Sequence, residues 1–192
     1  MSDPAHKPMT ADEFIAWAMT RPETEHYELV GGEVVGMAPE RSGHGLTKSW
    51  IGRKLAEAID AAGLPCDVYV DNMSVRIDAQ TVYEPDVVLR CGKRLDPNAT
   101  ELTDPVVVVE ILSRSTQGRD RGAKLDDYFR LPSVMHYLIA KVENRTIIHH
   151  RRAAAGMIDT RIVRDGPVHL DPPGIELSSG FPPERGTGAT EP

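Results

Sequence analysis

Glu110 interrupts an otherwise continuous apolar run, Val106-Val107-Val108-Val109 followed by Ile111-Leu112. Runs of this kind belong to central strands covered on both faces. An ionised carboxylate in that setting must be protonated, paired with a cation or bound to a metal, because an unpaired charge there is costly. The bland alternative sets Glu110 at the exposed end of its strand, or beside an arginine. Asp86 tilts the choice toward a metal, since it opens the preceding apolar segment in Glu84-Pro85-Asp86-Val87-Val88-Leu89. Hard cations such as Mg²⁺ take oxygen ligands from one or two carboxylates plus substrate phosphate. Acids at adjacent strand ends converge where open α/β sheets gather ligands. Taken alone, an aspartate after a proline is as readily turn chemistry.

A cation completes the constellation. Beyond a possible cap at Ser113-Arg114-Ser115-Thr116, Arg119, Asp120 and Lys124 recur at helical spacing. Lys124 directed back over the strand end would stabilise charge developing on a phosphate. Its alternative is an i, i+4 surface pair with Asp120, worth only ~0.3–0.5 kcal/mol.

The elements that must carry these groups are legible in outline. Thr10 with Asp12 and Glu13 starts a short helix with Phe14, Trp17 and Ala18 on one face, which ends by Pro22. Residues 27–30 and 33–35 flank Gly31-Gly32, a hairpin signal. A second helix runs from Ser42-Gly43-His44 to about Ala62, with Leu46, Trp50, Ile51, Leu55 and Ile59 as its apolar face and Gly63 as its stop. Strands follow from Cys66, with a kink near Asp71-Asn72, then a polar loop from Cys91 to Asp104. A charged helix spans about 115–131 with Leu125, Tyr128 and Phe129 inward, and strands are expected near 134–140, 145–151 and 158–164. The helix between Leu112 and the first of these implies a parallel crossover. The expected architecture is one α/β domain over residues 1–175, a mixed sheet flanked by helices, and a Pro/Gly-rich, partly disordered tail over 176–192 that sets in near Pro172.

Bulk properties exclude some classes. The 192 residues are 40% hydrophobic and 27% charged, ordinary for a globular protein. No apolar run approaches the ~20 residues that span a bilayer. The first residues, MSDPAHKPMT, lack the basic and apolar regions of a secretory signal. Cys66 and Cys91 lack metal-ligand spacing and read as reduced core thiols, which fits a cytoplasmic protein. A net charge of -7 argues against tight non-specific binding of nucleic acid, though not against a local basic groove. Lys48, Arg53 and Lys54 on the second helix, with Arg119 and Arg121, are the candidate backbone contacts, and Arg145, Arg151, Arg152, Arg161 and Arg164 form a strand-side group. Charged faces of this sort are more often simply solvated.

The ordered set of these residues resembles the Uma-type family of putative restriction endonucleases. It comprises the hairpin Tyr27-Glu28-Leu29-Val30-Gly31-Gly32-Glu33, His44, Glu84-Pro85-Asp86, Val108-Val109-Glu110-Ile111-Leu112-Ser113, Ser115-Thr116 with Arg119-Asp120, and Lys124-Leu125 with Tyr128. The resemblance implies a restriction-endonuclease-like fold of the PD-(D/E)XK superfamily, whose proline-aspartate and acid-x-lysine motifs bind metal and cleave phosphodiesters. Asp86 matches the first acid and Glu110 the second. Leu112 stands where the lysine is usual, and the resemblance moves that role to Lys124. Arg114 stands where the family commonly has proline. The implied activity is Mg²⁺- or Mn²⁺-dependent endonuclease cleavage of DNA, with Asp86, Glu110 and the Ile111 carbonyl on the metal. Glu28 and His44 serve as secondary contacts, the histidine near a helix N-terminus. A homodimer suits cleavage of two strands. The alternatives are a weakly active or inactive nucleic-acid-binding or regulatory module on the same fold, and a metal hydrolase of small phosphate esters.

Overall fold

The computed structural model describes residues 7–71, 73–112, 121–178 and 180–183. Thr10 accepts from the amide of Glu13 while the Glu13 carboxylate accepts from the amide of Thr10, and this reciprocal cap starts α1 (Ala11–Ala18). Gly31 and Gly32, at φ +58° and +85°, make the tight turn between β1 (Tyr27–Val30) and β2 (Glu33–Gly36). Then comes α2 (Ser42–Ala62), closed by Gly63 in the left-handed conformation. Next in order are β3 (Cys66–Val70), β4 (Ser74–Arg76), β5 (Val82–Tyr83), β6 (Val87–Cys91), β7 (Glu101–Leu102) and β8 (Val107–Leu112). The chain continues through α3 (Arg121–Arg130), β9 (His136–Lys141), β10 (Thr146–Arg152), β11 (Ile158–Val163), β12 (Val168–Leu170) and β13 (Ile175–Leu177).

Six strands form the central sheet in the order β11-β10-β9-β8-β6-β3. Its neighbours are antiparallel except β8 and β9, which run parallel across the crossover that contains α3. This is the expected mixed sheet flanked by helices. A second sheet, β2-β1-β5-β4-β7, and the β12–β13 hairpin complete the layers. The two-residue strands β5 and β7 escape a sequence reading because so few residues show no alternation.

The two faces of β8 bury different partners. Val107, Val109 and Ile111 pack with Ile51, Leu55 and Ile59 of α2 and with Leu170 and Leu177 of the hairpin. Val108 and Leu112 pack with Tyr128 and Phe129 of α3, with Met73 and Val75, and with Tyr137 of β9. Alternation therefore puts Glu110 on the α3 face of a strand that is covered on both sides.

Three expectations are corrected. Leu46 is 62% exposed, and the buried stripe of α2 instead reads His44, Thr47, Lys48, Ile51, Gly52, Leu55, Ile59. Those positions recur at three- and four-residue spacing, whereas Leu46 lies well round the helix from Ile51. Cys66 and Cys91 form a disulfide, because the antiparallel register of β3 and β6 sets them directly opposite. Residues 175–177, past the expected onset of the tail, form β13, and Leu177 and Phe181 join the main core. Residues 184–192 lie outside the described residues. No helix among the described residues is long and apolar enough to cross a membrane.

His136 and His149, paired on β9 and β10, are buried under the hairpin. His136 Nε2 donates to the carbonyl of Pro172 at 3.0 Å, which leaves its Nδ1 to accept from His149 Nε2 at 2.9 Å. This pattern needs His136 neutral, and burial lowers the pKa values of both rings from 6.5 to about 4. A depressed histidine pKa leaves stability whole above about 6.5 and withdraws it as pH falls toward about 4, since the unfolded chain takes up the protons first. We expect the folded chain to lose on the order of a few kcal/mol between pH 6.5 and 4 through this pair. Melting temperature across that range should fall less steeply in His149→Gln than in the parent, and parallel slopes would refute the assignment.

Candidate active site

Two clusters of acids, each centred on a carboxylate drawn into the protein, sit on either side of the β6–β8 strand ends, and each is answered by one lysine. The first is built around Glu110. Its Oε1 accepts from Lys124 Nζ at 2.9 Å and from Tyr128 Oη at 2.9 Å, and the two donors lie one turn apart on α3. The same ammonium reaches Glu28 Oε1 on β1 at 2.7 Å. Glu28 also accepts from the amide of Glu84 at 3.3 Å, and Lys124 Nζ stands 4.8 Å from the centroid of the Tyr83 ring. Burial raises the pKa of Glu110 to about 7, with the Lys124 charge opposing and Asp86 and Glu28 adding to the rise. Lys124 is held well above the ordinary lysine range, because the two carboxylates outweigh the burial that disfavours its charge. Its side chain as a whole remains 22% exposed.

The second cluster is built around Asp86, at the start of β6. Asp86 Oδ2 accepts from the amide of Ile111 at 2.5 Å, so a side-chain oxygen continues the β6–β8 ladder past its last backbone pair. Asp86 Oδ1 accepts from His44 Nε2 at 2.7 Å, and Lys48 Nζ lies 3.7 Å from the same oxygen. Lys48 also bridges Glu40 Oε1 at 2.5 Å and Asp71 Oδ1 at 2.8 Å. Burial works against protonation of His44, yet Asp86 and Glu40 outweigh it and its pKa is raised. Lys48 is raised in the same way by Asp71 and Glu40. Nearby, His26 Nδ1 lies 3.0 Å from Glu84 Oε1, and that bond raises the histidine's pKa. A cavity of about 510 Å³, lined in part by His26, Met37, Pro39, Glu40 and Asp71, opens beside this cluster.

Glu40, His44 and Asp86 place one donor atom each within 4.8 Å of one another. Two carboxylates and an imidazole suit a divalent cation such as Mn²⁺ or Mg²⁺. The buried oxygens already demand positive charge, now met by Lys48 and His44, so the donor set fits such an ion. Asp86 belongs to this set and to the pair expected from sequence. Glu110 is instead occupied by Lys124 and Tyr128, and the amide of Ile111, rather than its carbonyl, contacts Asp86.

The structure thus brings together Asp86, Glu110, Lys124, Glu28, His44 and Ile111. It adds Glu40, Asp71 and Tyr128, which sequence reasoning assigned no role at the site. Glu40 precedes His44 by four residues, a ligand-like spacing hidden by its place in the irregular segment before α2. Lys48 is 4% exposed and serves the acid cluster rather than an open groove. Arg53 and Lys54 pair with Glu57 and lie over the ring of Trp50 on the solvent side of α2. Arg119 and the side chain of Arg121 lie outside the described residues, as do Ser113 to Asp120. In the strand-side group, Arg152 donates to the carbonyls of Phe129, Leu131 and Val134 behind α3, Arg151 pairs with Asp159, and Arg145 donates to Pro182.

Residues 11–182 match the Uma2 family, described as "putative restriction endonuclease". An uncharacterised protein of Synechocystis sp. is 26% identical over 142 residues, 70% of this chain and 73% of that protein. A second uncharacterised Synechocystis protein is 25% identical over 119 residues, 60% of this chain and 66% of that one. Among solved structures, a putative nuclease of DUF820 from Anabaena variabilis superposes with a TM-score of 0.64 at 14% identity, covering 85% of this chain and 88% of that one. The likeness establishes a shared fold.

Removing the lysine of the first cluster leaves two buried carboxylates facing each other. Lys124→Met is expected to cost about 3–5 kcal/mol of stability at neutral pH, the usual penalty for stranding a buried charge. Adding Glu110→Gln to that variant should recover much of the loss. Urea denaturation measures both, and a Lys124→Met midpoint equal to the parent's would show the pair to be energetically idle.

Proposed function

Because the chain belongs to the Uma2 family of putative restriction endonucleases, we propose that it is a divalent-metal-dependent endonuclease that hydrolyses phosphodiester bonds in DNA. The observation that carries this is the convergence of Asp86, Glu110 and Lys124 from β6, β8 and α3 on one strand end, with His44 and Glu40 of the α2 entrance beside them. Glu40, His44 and Asp86 would hold Mg²⁺ or Mn²⁺, with Glu110 beside the ion. When bound, such an ion polarises a phosphate and makes an attacking hydroxide available near neutral pH.

The protein's own groups divide the remaining work. Glu110 and Glu28 fix the Lys124 ammonium from two sides, so it meets phosphate without reorganising, which makes a fixed charge effective in a dry site. Tyr128 holds Glu110 Oε1 from the same helix and keeps the carboxylate in the rotamer that faces Lys124. The Ile111 amide and His44 fix both oxygens of Asp86, which limits its freedom before substrate arrives. We place the protein in the cytoplasm with its substrate. There the Cys66–Cys91 bridge would meet reducing conditions.

Two observations favour a second reading, a nucleic-acid-binding or regulatory module with little turnover. Lys48 and Lys124 already answer both acid clusters, and the net charge of -7 gives the whole molecule no general attraction for nucleic acid.

Nicking of supercoiled plasmid separates the two. We expect cleavage that requires Mg²⁺ or Mn²⁺ and stops with chelator, falling at least about 100-fold in Asp86→Ala, Glu110→Ala and Lys124→Met. Absence of cleavage on duplex DNA, single-stranded DNA and RNA, with no heat of Mn²⁺ binding in calorimetry, would leave the binding module as the function.

A further inference from the structure

β11 is an edge strand of the central sheet, bonded to β10 on one side and to no other strand among the described residues. Edges of this kind are ordinarily blunted by proline, charged side chains (lysine above all), a bulge or a covering element, and the two charges of β11, Asp159 and Arg161, are opposite in sign. Ile158–Val163 carries neither proline nor lysine, and all but Val163 are exposed. Of the seven exposed large apolar side chains among the described residues, three gather here: Met157, Ile158 and Ile162, the last 61% exposed.

Which groups of β11 are open follows from one bond. The amide of Ala153 donates to the carbonyl of Met157 at 2.8 Å, so Met157 turns its peptide groups toward the β10 side. Alternation along an antiparallel ladder turns those of Asp159, Arg161 and Val163 the same way, and leaves those of Ile158, Thr160 and Ile162 aimed outward. A two-fold pairing of this edge with its own copy must match outward groups to outward groups, so it is centred on a residue. Centred on Asp159 it sets aspartate against aspartate, and centred on Arg161 it sets arginine against arginine. Centred on Thr160 it opposes Asp159 to Arg161 twice and Ile158 to Ile162 twice, with Met157 opposite Val163. Directly opposed residues share a sheet face, so the ion pairs would lie on one face and the isoleucine pairs on the other. Within the chain Asp159 already meets Arg151 at 3.2 Å, and the partner's Arg161 would join that carboxylate.

We propose that the chain forms an isologous homodimer by antiparallel pairing of β11 with β11 of a second copy, centred on Thr160, which joins two six-stranded sheets into one. The self-complementary order Ile158-Asp159-Thr160-Arg161-Ile162 selects a second copy over an unrelated strand, because an unrelated strand would have no reason to match it. The interface is independent of the chemistry at Glu110.

Sedimentation velocity of the full chain, from about 1 to about 200 µM, tests this in the range of micromolar dissociation constants. We expect the mass to double within that range. Thr160→Pro removes an outward N–H and leaves the backbone bonds to β10 in place, giving up only the side-chain bond of Thr160 Oγ1 to His150 Nδ1, and should remain monomeric with the parent's circular dichroism. Asp159→Arg and Arg161→Asp, each alone, set like charges opposite one another and should raise the dissociation constant at least about tenfold. An equimolar mixture of those two variants restores opposite charges at both pairs and should dimerise as the parent does. Should Thr160→Pro not fold, the mixing experiment decides alone. A parent that stays monomeric throughout, a dimer indifferent to the charge changes, or variants that do not recombine would each overturn the interface.

Discussion

Burying Glu110 is the constraint from which the rest of the site follows. β8 is apolar on both faces because both are covered, by α2 on one side and by α3 with the smaller sheet on the other. A carboxylate on such a strand survives only if a cation is delivered to it, and the crossover from β8 to β9 delivers one. α3 lies in that crossover and presents Lys124 and Tyr128 one turn apart to the same oxygen. Once the ammonium is there, β1 can bring Glu28 in as a second buried carboxylate. The acid on the central strand thus explains the lysine, and the lysine explains the acid on the hairpin.

The Asp86 cluster repeats the logic from the opposite face of the sheet. The inward stripe of α2 is polar at its N-terminal end, with His44, Thr47 and Lys48, and apolar beyond, with Ile51, Leu55 and Ile59. One helix therefore anchors the core and supplies the cations for Asp86, Glu40 and Asp71. Gly52 makes the approach feasible, since a Cβ there would lie 2.4 Å from Cγ2 of Val70 on β3. Packing and site chemistry are coupled through that helix. A shift that loosened Ile51 and Leu55 would also move His44 and Lys48 away from Asp86.

Much of this was legible in sequence because the decisive signals are local. An acid inside an apolar run, a Gly-Gly hairpin, a capping box and a helix between two apolar segments each depend on a few neighbouring residues. They put Asp86 and Glu110 on successive apolar strands and Lys124 on the helix that follows, while the direction of the lysine stays open between Glu110 and Asp120. What was missed depends on long-range register. The Cys66–Cys91 bridge exists because two strands happen to align them, and no spacing rule announces that. Glu40 and Asp71 lie in connections, where acids are commonplace. Lys48 looked like a surface cation because the polar half of the α2 stripe resembles solvent-facing helix until its partners are known. Tyr128 was expected inward, as it is, but its hydroxyl found Glu110 only through the crossover geometry.

Charge balance decides what the site can accept. Counting formal charges, Glu28 and Glu110 face one lysine, and Glu40, Asp71 and Asp86 face one lysine and a histidine whose pKa is raised. The Asp86 cluster is left with an excess of acid held at fixed geometry, and the Glu110 cluster with one that grows as Glu110 ionises above about pH 7. A deficit of positive charge in a partly dry cleft favours a cation over an anion, whatever the surface charge elsewhere. A phosphate approaching alone would meet that excess as repulsion. The same phosphate arriving with a divalent ion would meet donors for the ion in Glu40, His44 and Asp86, and a fixed ammonium for its own oxygens in Lys124. On the proposed function, the strand end would therefore favour ion and phosphate together over either component alone.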